Sequence, residues 1–133
     1  MSEIAHKPQP ASAILVVEDE RRICELLSEV LEAEGYAVHC VQTDLRAYEA
    51  LRAGRAFRCM IVDVNLGTDT TGYDVARFAR SIDPALPVIY VSGQTSQASL
   101  RANGVTGSLF VPKPFTAAEL MERVHMLVGD NDD

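Results

Sequence analysis

Residues 13–35 read AILVVEDERRICELLSEVLEAEG, and this stretch decides the fold. Its opening, Ala13-Ile-Leu-Val-Val17, is apolar without interruption and partly β-branched, the composition of a strand buried on both faces. Three charged residues, Glu18, Asp19 and Glu20, end the run. Beyond them Ile23, Leu26, Leu27, Val30 and Leu31 recur at i, i+3, i+4, i+7 and i+8, one face of a helix. Gly35 closes that helix where a left-handed residue is needed. Buried strand, acidic turn and amphipathic helix make one βα unit of a parallel sheet.

The unit repeats along the chain. Residues 36–41 read as a second strand, and residues 44–53 as a short helix with Thr43 as its N-cap. Cys59-Met-Ile-Val62 is a third buried run, followed by a loop rich in Gly, Thr and Asp. A third helix covers residues 73–81 and stops before Pro84. Pro87-Val-Ile-Tyr-Val91 is the fourth strand, and residues 108–111 the fifth. Between them residues 96–102 are weakly coded for helix, bounded by Gly93 and Asn103-Gly104, so a mobile or partly unwound segment is expected. The last helix is the clearest: Thr116-x-x-Glu119 is a capping box, Phe115 and Leu120 occupy the staple positions, and Leu120, Val124, Leu127 and Val128 form the buried stripe. The alternation predicts one doubly wound α/β domain over residues 13–129, a five-stranded parallel sheet with helices on both faces. Residues 1–12, with Pro8 and Pro10, read as a flexible tail, and residues 130–133 as an acidic one.

Composition narrows the function. Hydrophobic residues make up 47% and charged residues 23%, as in an ordinary globular domain. The formal net charge of −7 disfavours direct contact with a phosphate backbone. Arg52, Arg55 and Arg58 form a local basic trio, read as a solvated helix end. Cys24, Cys40 and Cys59 are far apart, odd in number and without a C-x-x-C pair, which argues against a disulfide framework or a zinc site. Buried thiols in a reducing compartment are expected. His6, His39 and His125 are equally scattered. The N-terminus lacks the apolar core of a signal peptide, and no run reaches membrane-spanning length, so a cytoplasmic location without membrane insertion is expected.

Ligands of such sheets bind beyond the carboxyl ends of the strands. Glu18 and Asp19 follow the first strand, Asp63 ends the third, Ser92 follows the fourth and Lys113 the fifth. Singly, each has a bland reading: Asp19 as a helix cap, Ser92 as a turn residue, Lys113 as a solvated lysine. Asp63 is different, because a lone carboxylate after three apolar residues would lose hydration without a partner. Together the carboxylates demand a cation, and hard oxygen ligands without Cys or His favour Mg²⁺.

Val16-Val-Glu-Asp19, Val62-Asp-Val-Asn65, Val91-Ser-Gly93 and Val111-Pro-Lys-Pro-Phe115 resemble the receiver domains of two-component response regulators, over residues 12–129. The resemblance implies a flavodoxin-like strand order, 2-1-3-4-5. It implies that Asp63 accepts a phosphoryl group from a histidine kinase or histidine phosphotransfer protein. Glu18, Asp19, Asp63 and the backbone carbonyl of Asn65 would hold Mg²⁺. Lys113 and Ser92 would stabilise the phosphoryl group, Phe110 would act as the switch aromatic, and Gly93 and Gln94 would be tuning positions. A single-domain regulator of this type, with no separate catalytic domain, would signal through a downstream protein or serve as a phosphorelay intermediate or phosphate sink.

Some residues depart from the family pattern. The loop from Asn65 to Gly72 is about one residue longer than usual, Gly67 stands where proline is common, and Ser92 replaces the commoner threonine. Phe110 lacks a tyrosine hydroxyl. Two other classes compete. A haloacid-dehalogenase-type phosphatase would carry Asp-x-Asp after the first strand, whereas here Asp63 follows the third. A flavodoxin-like electron carrier would need a hydroxyl- and glycine-rich phosphate loop where this chain has Glu18-Asp-Glu20, which repels a flavin phosphate.

Overall fold

The computed structural model describes residues 13–67, 70–93 and 97–129. Strands β1 (Ala13–Val17), β2 (Ala37–Val41), β3 (Cys59–Asp63), β4 (Val88–Ser92) and β5 (Leu109–Pro112) alternate with helices α1 (Arg21–Ala33), α2 (Asp44–Arg52), α3 (Gly72–Ile82), α4 (Gln97–Asn103) and α5 (Ala117–Val128). The strands form one parallel sheet in the order β2-β1-β3-β4-β5. The doubly wound architecture and strand order are those expected from the sequence.

Alternate side chains of each strand enter opposite cores, as the pleat dictates. Ile14, Val16, Ile61, Ile89 and Val111 pack with Leu27 and Leu31 of α1 and Leu120 and Val124 of α5. Leu15, Val17, Met60, Val62, Val88 and Tyr90 pack on the other face with Ala47 and Leu51 of α2 and Val75, Ala76 and Ala79 of α3. Strands β1, β3 and β4 are buried along their whole length, which explains their continuous apolar runs. Gly35 follows α1 with φ of 97°, the left-handed conformation expected of it.

The helix caps follow local chemistry. The Thr43 side chain accepts the Arg46 N–H, and the Thr116–Glu119 capping box closes in both directions. A second box, Thr71 with Asp74, starts α3 at Gly72, one residue before its expected beginning. Arg52 lies over the Tyr48 and Phe78 rings, Arg55 over Phe57 and Arg58 over Tyr36, so the basic trio caps aromatic faces.

One expectation needs correction. Cys24 of α1 and Cys40 of β2 are joined as a disulfide, their Cα atoms 6.2 Å apart, so only Cys59 is a free buried thiol. The crossover brings helix and edge strand together, a proximity that cysteine spacing does not encode. The weakly coded fourth segment forms a seven-residue helix with no buried residue. Half-buried Leu100 packs it on the core, and polar tethers add to this: Arg77 Nη1 donates to the Asn103 carbonyl at 3.0 Å, and the Tyr73 hydroxyl lies 3.3 Å from Ser99 Oγ. Arg80 Nη2 holds the Thr106 carbonyl beyond it at 2.8 Å. No helix among the described residues is long and apolar enough to cross a membrane. The expected tails, residues 1–12 and 130–133, lie outside the described residues.

Candidate functional site

Parallel pairing aligns the carboxyl ends of β1, β3, β4 and β5, and with them the residues that follow. Carboxylate oxygens of Glu18, Asp19 and Asp63 all lie within 4.8 Å of one another. Glu18 and Asp63 are buried and Asp19 is exposed. The turn that carries the first two is fixed by its backbone. Glu18 N–H donates to the Val41 carbonyl at 3.0 Å, and Glu20 N–H donates back to Glu18 Oε2 at 3.2 Å. Asp63 is fixed in the same way, its Oδ1 accepting the Asn65 N–H at 3.0 Å.

Lys113 completes the cluster from β5. Its Nζ stands 3.0 Å from Asp63 Oδ2 and 3.0 Å from Glu18 Oε1. The lysine backbone is held by the Ser92 carbonyl at 2.9 Å, which ties the ends of β4 and β5 together. The Lys113–Pro114 peptide is cis. Burial disfavours the ammonium charge, but hydrogen bonds and charge from Asp63 and Glu18 outweigh it and raise the lysine pKa. Burial, then the Asp63 charge, pushes the Glu18 carboxyl up to about 7, despite the opposing pull of Lys113 and the Glu20 N–H.

The arrangement suits a divalent cation. Three carboxylates face one ammonium, which leaves an excess of negative charge in a half-buried site. Glu18 Oε1 is buried with Lys113 Nζ 3.0 Å away, and a carboxylate oxygen keeps lone-pair capacity beyond that one contact. The donors are all oxygens, the set that Mg²⁺ prefers.

The other residues singled out in the sequence are placed as follows. Ser92 is buried at the end of β4. Asn65 is exposed beside Asp63, and its side-chain oxygen accepts the Gly67 N–H at 3.2 Å. Gly67, with φ of 74°, approaches Asp19, whose Oδ2 would lie 3.2 Å from an added Cβ. Gly93 lies just past Ser92, whereas Gln94 falls outside the described residues. Phe110 is not in the pocket. It pairs with Tyr90 across β4 and β5, one pleat repeat below the Ser92–Pro112 pair, so Ser92, Tyr90 and Phe110 share one sheet face.

Two further positions that pack near the site are not singled out as site residues in the sequence. Gly72 packs against the backbone that presents Asp63: an added Cβ would collide with the Asp63 carbonyl and lie 2.9 Å from Val64 Cα. Its N–H also holds the Val64 carbonyl at 2.8 Å. The Thr71-x-x-Asp74 spacing was the available signal. Tyr90 is fully buried between Ser92 and the α4–β5 connection, and its hydroxyl accepts the Val105 N–H at 3.1 Å. An apolar-looking strand hides that hydroxyl.

Comparison with known proteins agrees with this geometry. The family model described as response regulator receiver domain matches residues 14–125. The chain is 30% identical over 116 residues to the transcriptional regulatory protein CreB of Escherichia coli, covering 86% of this chain and 50% of that protein. It thus spans about half the length of the curated relatives it matches. A response regulator receiver protein of Sinorhizobium medicae superposes with a TM-score of 0.83 at 34% identity, over 89% of this chain and 94% of that one. The receiver domain of a sensor histidine kinase of Pseudomonas aeruginosa, solved with magnesium in its active-site cleft, shares the fold with a TM-score of 0.76 at 24% identity, over 90% of this chain and 99% of that one.

Proposed function

The chain belongs to the response regulator receiver domain family, and on that premise we propose that Asp63 accepts a phosphoryl group from a histidine kinase or histidine phosphotransfer protein. The observation that carries the proposal is Lys113 Nζ, 3.0 Å from both buried carboxylates at the sheet edge. A carboxylate that attacks an anionic phosphoryl group needs its approach fixed and the shared charge neutralised. The Asn65 N–H on Oδ1 fixes the plane of the Asp63 carboxylate. Lys113 neutralises Asp63 before transfer and is within reach of the phosphoryl oxygens after it.

Glu18, Asp19, Asp63 and the backbone carbonyl of Asn65 would hold Mg²⁺, which supplies charge neutralisation between nucleophile and phosphoryl group. Ser92 would hydrogen-bond the phosphoryl group, and Gly93 and Gln94 would tune its lifetime. The signal then passes along the sheet face shared by Ser92, Tyr90 and Phe110 to the α4–β5 connection. A net charge of −7 favours a protein as the downstream partner. The chain acts as a cytoplasmic phosphoacceptor, in signalling or in a phosphorelay.

The proposal is tested by incubating the protein with a panel of phosphorylated histidine kinases and mapping the acceptor. Phosphoryl transfer to Asp63 is expected, and stoichiometric transfer to another residue overturns the assignment.

A further inference from the structure

The Cys24–Cys40 disulfide closes a small ring around the acidic turn. From Glu18 the chain runs through Asp19 and Glu20 into α1, where Cys24 N–H takes the Glu20 carbonyl at 3.0 Å. The disulfide crosses to Cys40, and the next residue, Val41, returns to the start by accepting the Glu18 N–H at 3.0 Å. Inside the ring, the Glu20 N–H holds Glu18 Oε2. Without the cross-link, the ring is open between the two cysteines, 16 residues apart in sequence, and the turn is held by the Glu18–Val41 hydrogen bond, the β1–β2 ladder and the packing of α1. The ring therefore includes Glu18 and Asp19, two of the three clustered carboxylates.

We propose that Cys24 and Cys40 are a reversible thiol–disulfide site whose oxidation braces the Glu18–Asp19–Glu20 turn and whose reduction loosens it. Access comes from a groove of about 950 Å³ between α1, β2 and α2, whose lining includes Cys24, Cys40, Arg21, Gln42 and Arg46. Cys40 is half-buried on the edge strand, so it is the sulfur that a small reagent meets first. Cys24 is buried behind it. Cys59 is fully buried in β3, and burial pushes its thiol up to about 12, which keeps it inert.

The oxidant is a low-molecular-weight disulfide, RSSR. The Cys40 thiolate attacks one sulfur of RSSR, forming a mixed disulfide and releasing one RS⁻. The Cys24 thiolate then attacks the Cys40 sulfur and releases the second RS⁻. Two protein thiols lose two electrons, RSSR gains them, and the two thiol protons end on two RSH. Two molecules of a small thiol reverse the reaction.

Bracing acts on carboxylates proposed to hold Mg²⁺, so its metal consequence rests on that proposal, whereas its effect on the turn does not. The test uses the full chain, oxidised with glutathione disulfide or reduced with a phosphine. Peptide mapping should show Cys24 linked to Cys40 and Cys59 as a thiol. Amide hydrogen exchange at Glu18, Glu20 and Cys24 should be about tenfold faster in the reduced protein. Cys40→Ser and Cys24→Ala should each show the faster exchange whatever the redox buffer. Mg²⁺ alone, titrated calorimetrically, should bind the oxidised form roughly threefold tighter or more.

Failure of the Cys24–Cys40 link to form, or equal exchange at the acidic turn in both redox states, overturns the inference. Mg²⁺ that binds both states equally overturns its metal consequence. Absence of Mg²⁺ binding in both states contradicts the proposed function instead, and the exchange comparison still decides on the ring.

Discussion

Lys113 Nζ meets Glu18 Oε1 at 3.0 Å, yet the Glu18 carboxyl is still pushed up to about 7. The ammonium does not offset the combined cost of burial and of Asp63 beside it. The folded protein therefore holds a proton on Glu18 that the unfolded chain, with an ordinary value of 4.5, releases more readily. This contribution to stability is fully present below about 4.5 and is lost as pH rises through about 7. Without Mg²⁺, melting of the wild type relative to Glu18→Gln should fall between pH 5 and pH 8. Added Mg²⁺ competes with that proton and should stabilise the wild type more at pH 8 than at pH 5. A wild-type melting profile parallel to that of Glu18→Gln across this range would refute the role of the buried carboxyl.

Gly72 predicts a defect transmitted through backbone. Its replacement by Ala forces a methyl group against the Asp63 carbonyl and Val64 Cα, neither of which is the end of a flexible side chain. Gly72→Ala should cost about 1–3 kcal/mol in denaturant unfolding. It should also slow phosphoryl transfer to Asp63 at temperatures where the variant remains folded. Wild-type stability and transfer together would show that the close approach is slack.

Tyr90 predicts a local effect distinct from the chemistry. Tyr90→Phe keeps the ring packed on Tyr73, whose centroid lies 5.0 Å away, and removes only the acceptor for the Val105 N–H. The loss should be about 1 kcal/mol, seen as faster amide exchange at Val105. Phosphoryl transfer should be unaffected. Unchanged exchange at Val105 would remove Tyr90 from the connection.

Ser92 and Phe110 predict a separation of acceptance from output. A beryllofluoride mimic of the phosphoryl group should change amide protection over residues 97–107 and at Phe110. Ser92→Ala and Phe110→Ala should still accept phosphoryl but show a smaller change, because a ligand shifts an equilibrium only through contacts that differ between the states. If beryllofluoride binds and this region stays unchanged, the signal leaves by another surface, most directly the loop that follows Asp63.

What the sequence reveals follows from how local each cause is. A strand buried on both faces must be continuously apolar, so Ala13–Val17 and Cys59–Asp63 are legible, as are the acidic groups that end them. The Thr116–Glu119 box is legible because its hydrogen bonds span a single turn. The Thr71–Asp74 box uses the shorter Asp at N3, a weaker signal, and the helix start reads one residue late. The Cys24–Cys40 pairing depends on where the crossover sets α1 against β2. The docking of α4 depends on Arg77, and that of the segment beyond it on Arg80, each reaching across 26 residues of sequence. Glu18 reads as a ligand candidate in sequence, but its complete burial and raised pKa come only from the assembled sheet edge.

The central claim is that Asp63 carries the phosphoryl group, and trapping the acyl phosphate tests it most directly. After transfer from a phosphorylated kinase, borohydride reduces an aspartyl phosphate to homoserine, which marks the acceptor in a peptide map. The account predicts homoserine at position 63 in the wild type, and no phosphoryl gain in a folded Asp63→Asn variant. Labelling of Asp63→Asn equal to wild type, or a homoserine mark at Asp19 in place of Asp63, would contradict it.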